Sequence, residues 1–367
     1  MKISTTAIAA GVALAVPACA AGAAELNVIC SAEVAICEKL VGAFEASHSD
    51  IDVNMVRLSS GEAFAKIRAE GRNPQTDLWW GGTGDPHLQA AADGLTAEYK
   101  SEHLPELHDW AVKQAETSGY RTVGIYSGAL GWGYNTKIFA DKGLKEPACW
   151  ADLLDPKLKG EIQIADPNSS GTAYTALATL VQLMGEDQAF DYLKKLSANV
   201  AQFTKSGSAP VKAAARGEAG LGIVFMHDAI GQTVEGFPIK VVAPCEGTGY
   251  EVGSMSIIEG AQNPDEAKVF YDWALTPDAQ NLMPEAGSYQ IQSNKAAKAS
   301  EHTPDFSKMK LIDYDFAKYG SAETRKALLA RWDAEVGGRA AEYRVSGSTG
   351  AARCRPGPFL NRTETSS

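Results

Sequence analysis

Residues 165–174 read Ala-Asp-Pro-Asn-Ser-Ser-Gly-Thr-Ala-Tyr, and the fold prediction starts from them. Isoleucines alternate just before this stretch as at the end of a strand, its proline and asparagine are typical of a turn, and the apolar run 173–184 has helical spacing. The first turn of a helix offers unpaired N–H groups and a partial positive charge, which favour a phosphate or a carboxylate. Four residues therefore form a candidate anion cradle: Ser169, Ser170, Gly171 and Thr172. The alternative is that these hydroxyls only cap the helix.

The N-terminal part of the chain repeats this pattern of strand, loop and helix. Predicted strands at 25–29, 51–56 and 77–80 each end in small hydroxyl or glycine residues, and a predicted helix follows each one. The alternation predicts an open parallel sheet covered by helices, in which ligands bind at the carboxyl ends of the strands. The first of these helices is expected to bury an apolar face made of Val34, Leu40, Val41 and Phe44.

The length of the chain, 367 residues, exceeds what one compact core usually holds and favours two lobes. A glycine-rich extended run at 123–134 predicts a strand that crosses into the second lobe, and residues 239–243 predict the return. A strand at 250–258 is then expected back in the first lobe. We predict an α/β fold of two lobes with a ligand cleft between them, the first lobe formed by residues 25–126 and 245–337 and the second by residues 127–244.

Both ends of the chain are predicted to lie outside this fold. Residues 1–24 combine an early lysine, a short apolar run and small residues suited to cleavage, which predicts a signal peptide and export across one membrane. A lipid anchor at Cys19 is the alternative for this segment. In residues 338–367 the composition changes to glycine, arginine, serine, threonine and proline without periodicity, which predicts a disordered tail.

Four cysteines lie between the two ends of the chain: Cys30, Cys37, Cys149 and Cys245. An even number of cysteines in an oxidising compartment predicts two disulfides. Counting does not separate the three possible pairings, among which we favour Cys30 with Cys37 and Cys149 with Cys245. Metal ligation is the rival interpretation, but the chain has no closely spaced cysteine pair of the kind found in zinc sites.

Charge and motifs exclude several classes of function. A formal net charge of −11 disfavours nucleic acid and anionic membranes as partners, although a few local donors can still bind a small anion. The glycines at 82–84 and 131–133 lack the third glycine of a dinucleotide site, and no phosphate loop of the GxxxxGK[ST] type occurs. No GxSxG motif occurs either, and His227 and Asp228 are sequence neighbours, which disfavours a hydrolase triad. These observations disfavour an enzyme and give no sign of a cofactor.

His227 and Asp228 follow a strongly apolar predicted strand, 220–225, and at least one of them is expected to face the cleft. An imidazole can bond an anionic oxygen, and a carboxylate can accept hydrogen bonds from sugar hydroxyls. An anion cradle combined with carboxylate acceptors suits a phosphorylated sugar, whereas free phosphate would not need the carboxylates.

The chain resembles the periplasmic solute-binding proteins of ABC importers in its export signal, its two crossovers and its segments 77–85, 147–154 and 167–172. The resemblance covers residues 25–337 and is greatest to the branch often labelled ferric-iron binding. Iron binders of that branch use an adjacent tyrosine pair near the end of the last strand of the second lobe. This chain has Phe-Met-His-Asp there, at 225–228, and no Tyr-Tyr pair anywhere. Its pattern is more similar to the hexose-phosphate binders of the same branch.

The resemblance implies a type II periplasmic-binding-protein fold, acting as a monomer, that captures a phosphorylated sugar and delivers it to an inner-membrane ABC permease. It implies that the sugar contacts Ser59, His227, Asp228 and Glu251, and Glu246 competes with Glu251 for the acidic role. The phosphate is expected among residues 169–172. Additional contacts are expected from Ser31, Ser60, Thr83, Ser206 and Ser208.

Two alternatives stay open at this point. In the first, ferric iron is held by His227, Asp228 and Glu251 together with a bound anion. In the second, the chain is a sugar-phosphate hydrolase.

Overall fold

The computed structural model describes residues 23–337. The predicted tail, the lipidation candidate Cys19 and all but the last two residues of the predicted signal peptide lie outside these residues. No helix among residues 23–337 combines the length and the apolar character needed to cross a membrane.

Strands and helices alternate along the described part of the chain. Residues 23–337 contain ten strands: β1 (Ala24–Cys30), β2 (Ile51–Arg57), β3 (Leu78–Thr83), β4 (Val123–Asn135), β5 (Ile162–Ala165), β6 (Val200–Thr204), β7 (Leu221–Phe225), β8 (Ile239–Val242), β9 (Tyr250–Ile257) and β10 (Ile291–Gln292). The same residues contain thirteen α-helices: α1 (Val34–Ser47), α2 (Ser60–Glu70), α3 (Gly84–Ala92), α4 (Asp109–Thr117), α5 (Thr136–Asp141), α6 (Gly171–Met184), α7 (Glu186–Ser197), α8 (Ala209–Ala215), α9 (Met226–Val234), α10 (Pro264–Ala274), α11 (Pro277–Glu285), α12 (Phe316–Tyr319) and α13 (Ala322–Trp332).

The strands form one sheet in the order β2-β1-β3-β9-β4-β7-β5-β6, with β8 and β10 also paired to β4. In the first half of the sheet β1 runs parallel to β2 and to β3. In the second half β5 runs parallel to β6 and to β7. These parallel units follow from the helices that connect consecutive strands, as the sequence predicts.

The long strand β4 joins the two halves of the sheet. Its residues 123–129 pair with β9, and its residues 130–134 pair with β7. All of β4 is buried, and its glycines permit this close packing. A Cβ on Gly133, for example, would lie 2.7 Å from the Val211 side chain and 2.9 Å from the Ala229 side chain. The predicted first crossover is confirmed.

The predicted return crossover at residues 239–243 is wrong. Among the described strands, β8 pairs only with residues 132–135 of β4, so it belongs to the second half of the sheet. At about 3.3 Å per residue, a four-residue strand is too short to span both halves. The chain returns after β8, where the Leu130 N–H donates a hydrogen bond to the carbonyl of Gly249, and β9 then pairs with the first part of β4.

Each half of the sheet has its own apolar core. One core contains Trp80 and Tyr126, and the other contains Trp132 and Tyr174. Helix α13 packs against the second core through Leu328 and Trp332, although the prediction assigns its residues to the first lobe. The predicted lobe boundaries stay predictions.

Helix α1 buries Leu40 and Phe44 as predicted, but the rest of its buried face differs from the prediction. Its buried residues are Ile36, Cys37, Leu40 and Phe44, whereas Val34 is 49% exposed. The disulfide between Cys30 and Cys37 explains the difference, because it turns the face that contains Cys37 toward the end of β1.

Both favoured disulfides are present in the structure. Cys30 is bonded to Cys37, which ties the end of β1 to α1. Cys149 is bonded to Cys245 across 96 residues of sequence, and this bond joins the segment before Trp150 to the segment between β8 and β9.

Candidate functional site

The starts of six helices meet at one cavity between the two halves of the sheet. The cavity is lined by residues at or next to the first turns of α1, α2, α3, α6, α8 and α9. Each of these helices follows a strand, so their starts meet because the carboxyl ends of the strands lie together. The cavity encloses about 190 Å³, less than the roughly 300–1,000 Å³ of pockets for drug-sized ligands, and this size suits a small metabolite.

One end of the cavity consists of hydroxyl groups and helix starts. A Cβ on Gly171 would lie 2.1 Å from the Thr83 Oγ1 and 2.9 Å from the Ser60 Oγ, so these three residues adjoin one another. The Ser60 Oγ accepts a hydrogen bond of 3.2 Å from the Thr83 N–H. Among the described residues, the buried Thr83 hydroxyl has no partner of its own. An unpaired buried hydroxyl is unfavourable, so this group is available to a ligand such as a phosphate.

Two glycines at the end of β3 shape this hydroxyl-rich end. Gly81 and Gly82 have positive φ angles of 80° and 84°, which side chains disfavour. A Cβ on Gly82 would lie only 2.4 Å from the Ser60 Oγ. The Gly82 N–H donates a 2.7 Å hydrogen bond to the Tyr126 hydroxyl, and this bond holds the bend that brings Thr83 beside Ser60.

Ser170 both caps α6 and lines the cavity. Its Oγ accepts a 3.4 Å hydrogen bond from the Ala173 N–H, which is the capping role that the sequence left open. Ser169 faces away from the cavity, and its Oγ donates to the carbonyl of Lys205 at 3.1 Å. The Ser169 carbonyl accepts a 2.9 Å hydrogen bond from the N–H of Gly61 at the start of α2. This bond connects the two lobes across the cleft.

The opposite end of the cavity carries an imidazole, two carboxyl groups and an amide. The His227 Nε2 lies 3.6 Å from the Asp228 Oδ1 and 4.0 Å from the Glu251 Oε1. The Gln290 Nε2 donates a 3.0 Å hydrogen bond to the Glu251 Oε1. The His227 Nδ1 is buried and has no partner among the described residues. These groups can donate to and accept from several hydroxyls of a neutral polar molecule.

Burial keeps the ionisable groups of this end in their neutral forms at neutral pH. Burial raises the pKa of Asp228 to about 8, and the nearby Glu33 carboxylate adds to the rise. Burial also raises the pKa of Glu251 well above its usual value and lowers the pKa of His227 to about 3. Neutral carboxyl groups do not repel an anion bound at the hydroxyl-rich end of the same cavity.

Three charged side chains, Glu33, Arg57 and Lys212, line the cavity, and all three affect the pKa of Asp228. Arg57, the last residue of β2, donates to the Ser59 Oγ at 3.1 Å and so brings positive charge beside this hydroxyl. Glu33 precedes α1 in the first lobe and forms hydrogen bonds with Lys212 and Ser208 of the second lobe. A cation beside helix starts strengthens the preference for an anion.

The structure brings most of the sequence-predicted site residues to this cavity: Ser31, Ser59, Ser60, Thr83, Ser170, Gly171, Thr172, Ser208, His227, Asp228 and Glu251. Ser169 and Ser206 do not line it. The Ser206 Oγ lies 3.2 Å from the Ser208 Oγ, behind the cavity wall. The competing candidate Glu246 lies elsewhere, where its carboxylate accepts hydrogen bonds from the N–H groups of Trp150 and Ala151.

Sequence analysis missed several residues that line the cavity: Glu33, Arg57, Tyr126, Lys212 and Gln290. A signal existed for Arg57 and Glu33, because both lie at the carboxyl end of a predicted strand, beside the serines that were chosen. Lys212 lies inside α8, and Tyr126 lies inside β4. Their positions give no sequence signal, since only the folded chain brings them to the cavity.

In the part of the chain that the structure describes, the acidic side chains of the cavity are not arranged as a metal site. Among residues 23–337, the only three potential metal ligands whose ligating atoms lie within 4.8 Å of one another are Cys149, Cys245 and Glu246. The two cysteines of this group are joined in a disulfide, and a thiolate is the form that binds metals. His227, Asp228 and Glu251 do not form such a group.

Comparison with known proteins shows the family to which this chain belongs. Residues 83–319 match the family of bacterial extracellular solute-binding proteins. This match spans more than half of the chain, and the chain belongs to that family. The predicted resemblance is therefore confirmed, and the protein is a binding protein and not an enzyme.

Individual relatives cover nearly the whole described chain. An uncharacterized protein of Haemophilus influenzae Rd is 50% identical over 338 residues, which cover 92% of this chain and 97% of the relative. The solved structure of the periplasmic binding protein AfuA from Actinobacillus pleuropneumoniae, with exogenous fructose 6-phosphate bound, is 46% identical with a TM-score of 0.83. It covers 86% of this chain and 99% of AfuA.

A second solved structure, the periplasmic binding protein P5PA, is 40% identical with a TM-score of 0.82 and covers 85% of this chain and 99% of P5PA. Both structures match more than four fifths of the chain. The predicted two-lobe, type II periplasmic-binding-protein fold is thereby confirmed.

Proposed function

We propose that this protein captures a phosphorylated sugar, a hexose phosphate, in the periplasm and delivers it to an ABC permease of the inner membrane. The observation that carries the proposal is the division of one small cavity into two chemically different ends. Hydroxyls, helix starts and Arg57 form one end, and neutral carboxyl, imidazole and amide groups form the other. A phosphate suits the first end and sugar hydroxyls suit the second.

At the first end the phosphate would contact Ser60, Thr83, Ser170, Gly171 and Thr172. Three helix starts contribute these residues, and the first turn of a helix favours an anion. The unpartnered Thr83 hydroxyl would then gain an acceptor. Ser31 and Ser59 would add donors, whereas the Ser208 hydroxyl is already bonded to Glu33, and Ser169 and Ser206 do not line the cavity.

At the second end the sugar would contact His227, Asp228 and Glu251, with Gln290 holding the Glu251 carboxyl group in place. Neutral carboxyl groups both donate and accept hydrogen bonds, so they can bond to a sugar hydroxyl that acts as an acceptor or as a donor. The relative AfuA, which was solved with fructose 6-phosphate bound, supports this class of ligand. Contacts from both lobes to one ligand favour the closed form of the cleft, and the protein would act as a monomer.

The test compares ligands that contain one or both halves of a sugar phosphate. Thermal unfolding of the protein is followed with fructose 6-phosphate, glucose 6-phosphate, fructose, inorganic phosphate and ferric citrate, each in excess. A ligand at about 100 times its Kd stabilises the folded form by about 2.7 kcal/mol, which raises the midpoint measurably. We expect the sugar phosphates to raise the midpoint well above fructose or phosphate. A rise with ferric citrate alone would replace the proposal with iron binding.

A variant links the binding to the cavity. Asp228→Ala is expected to weaken sugar-phosphate binding by about 1–3 kcal/mol, since it leaves sugar hydroxyls unpaired in a buried site. Titration calorimetry measures the change. Asp93→Ala is the matched control, because Asp93 is an exposed aspartate at the end of α3 and does not line the cavity. Equal affinity in both variants would remove Asp228 from the site.

A further inference from the structure

Glu33 reaches across the cleft in a way that its position in α1 does not require. It is the N-cap residue of α1, but its side chain makes no capping hydrogen bond to that helix. Its carboxylate instead contacts the ammonium group of Lys212 and the hydroxyl of Ser208, both in the opposite lobe. All three residues line the cavity. The Glu33 carboxylate is therefore part of the cavity wall and does not cap α1.

Lys212 and Ser208 together form a position that suits an anion. One offers a positive charge and the other a hydroxyl donor, which is the combination that a phosphate would also engage. In this structure the Glu33 carboxylate fills that position from inside the protein. The hydroxyl-rich end near Thr83 is different, because its buried hydroxyl has no partner among the described residues. The cavity thus contains one open anion position and one that the protein fills itself.

The charge on Glu33 is fixed, whereas the other buried carboxyl groups of the cavity are neutral. Burial is the largest single effect on Glu33 and opposes its ionisation, but the charge and hydrogen bond of Lys212, the hydrogen bond of Ser208 and the charge of Arg57 together outweigh it, so the pKa of Glu33 lies below its usual value. Asp228 and Glu251, without such a cation in contact, have raised pKa values. At neutral pH a ligand therefore meets one negative charge at a defined place beside Lys212.

We propose that Glu33 is a specificity-determining residue that limits the ligand to a single phosphate group. Its carboxylate occupies the second anion position, so the additional phosphate of a sugar bisphosphate meets a fixed negative charge and finds Lys212 and Ser208 already bonded. The inference rests on the proposed function, since it assumes that the open position takes the phosphate of a sugar phosphate.

The experiment compares affinities in Glu33→Gln, which keeps the shape of the side chain and removes its charge. Titration calorimetry measures the Kd of fructose 6-phosphate, fructose 1,6-bisphosphate and fructose 2,6-bisphosphate for the wild type and the variant. The two bisphosphates place the second phosphate at different distances from the first. We expect the affinity of at least one bisphosphate, relative to that of fructose 6-phosphate, to rise by roughly tenfold or more.

Two further variants make the result specific. Glu161→Gln is the control: Glu161 pairs with Lys142, and neither residue lines the cavity. This variant changes the net charge by the same amount as Glu33→Gln. It should leave the affinity ratio at the wild-type value. In Glu33→Gln/Lys212→Met the freed cation is also removed, and the gain for the bisphosphate should disappear.

The outcomes separate the inference from the proposed function. If the wild type binds fructose 6-phosphate and Glu33→Gln weakens all three ligands by the same factor, Glu33 is only a latch between the lobes and the inference is overturned. An unchanged ratio for both bisphosphates overturns it as well. If the wild type binds no sugar phosphate, the proposed function itself fails.

Discussion

Asp228 shows how burial sets the protonation of a single residue in this cavity. Its carboxyl group is buried beside the ionised Glu33, and both effects raise its pKa, to about 8, although Lys212 and Arg57 act in the opposite direction. An unfolded aspartic acid ionises near pH 3.8. Folding therefore takes up a proton at this residue between these two pH values, and the stability of the fold depends on pH there.

Replacing Asp228 by asparagine is expected to stabilise the ligand-free protein at high pH. Well below pH 3.8 the carboxyl group is protonated in both states, so Asp228→Asn should change little. As the pH rises from 3.8 toward about 8, the unfolded wild type gains from ionisation and the folded wild type loses relative stability. The variant escapes this loss, so its advantage in the free energy of unfolding should grow with pH over this range, by up to about 1.4 kcal/mol per pH unit. Urea unfolding at several pH values measures it.

The control for this prediction is Asp93→Asn, which makes the same chemical change at an exposed residue outside the cavity. Its effect should be small at every pH. The buried His227 ionises in the opposite sense, with a lowered pKa of about 3, but it is present in both proteins and cancels in the difference. An advantage of Asp228→Asn that does not grow with pH would contradict the assigned protonation.

Sequence reasoning at the residue scale found residues at or shortly after the carboxyl ends of strands. Ser60, Thr83, His227 and Asp228 all have such positions, and parallel strands bring their carboxyl ends together. Lys212 and Gln290 were missed because a charged or amide residue in a helix or a loop usually faces water. Only the folded chain places them opposite Glu33 and Glu251.

Helix α6 is the element whose start was predicted from sequence and whose packing was not. The turn residues and the helical spacing after Gly171 fix its beginning, as the structure confirms. Its contact with Thr83 of the other lobe is set by the closed cleft, and a local sequence pattern contains no information about that distance. The errors for α1 and β8 have the same kind of cause. A disulfide determines which face of α1 is buried, and pairing with β4 determines which half of the sheet contains β8.

Gly171→Ala is expected to block closure of the cleft without harming the helix. The backbone of Gly171 does not have a positive φ angle, and alanine is a better helix former than glycine by about 0.5–1 kcal/mol. The added Cβ would lie 2.1 Å from the Thr83 Oγ1 across the cleft, too close for the lobes to meet. We expect loss of sugar-phosphate binding with little change in the midpoint of ligand-free thermal unfolding.

Gly42→Ala provides the matched control for this element. Gly42 lies inside α1, and a Cβ there would have no atom within 4 Å apart from the helix itself. This variant should keep the wild-type affinity and gain slightly in stability. If Gly171→Ala binds the sugar phosphate as tightly as Gly42→Ala does, the close approach of α6 to Thr83 is not needed for binding.

At the scale of the whole molecule, β4 and the segment between β8 and β9 hold the two halves of the sheet together. The Cys149–Cys245 disulfide joins this segment to the residues before Trp150, and its two cysteines are 96 residues apart in the sequence. A long loop loses more conformational freedom on crosslinking than a short one, so this bond restricts the unfolded chain strongly.

Removal of this disulfide in Cys149→Ala/Cys245→Ala is expected to lower the free energy of unfolding by about 2–5 kcal/mol. Urea unfolding with and without a reductant measures the change. Reductant should bring the wild type close to the variant and should affect the variant less, since only Cys30–Cys37 remains to be reduced among the described disulfides. A variant that unfolds at the urea concentration of the wild type would show that the loop is already restricted in the unfolded chain.

The hydrogen bond between Gly61 and Ser169 has a consequence for the motion of the lobes. The Gly61 nitrogen lies in the first turn of α2, where a helix supplies no acceptor of its own, so its proton is shielded only by the Ser169 carbonyl of the facing lobe. This proton loses its shield and becomes open to exchange with deuterium from the solvent when the lobes separate. A single backbone amide therefore reports on opening of the empty protein, without any dye, spin label or ligand.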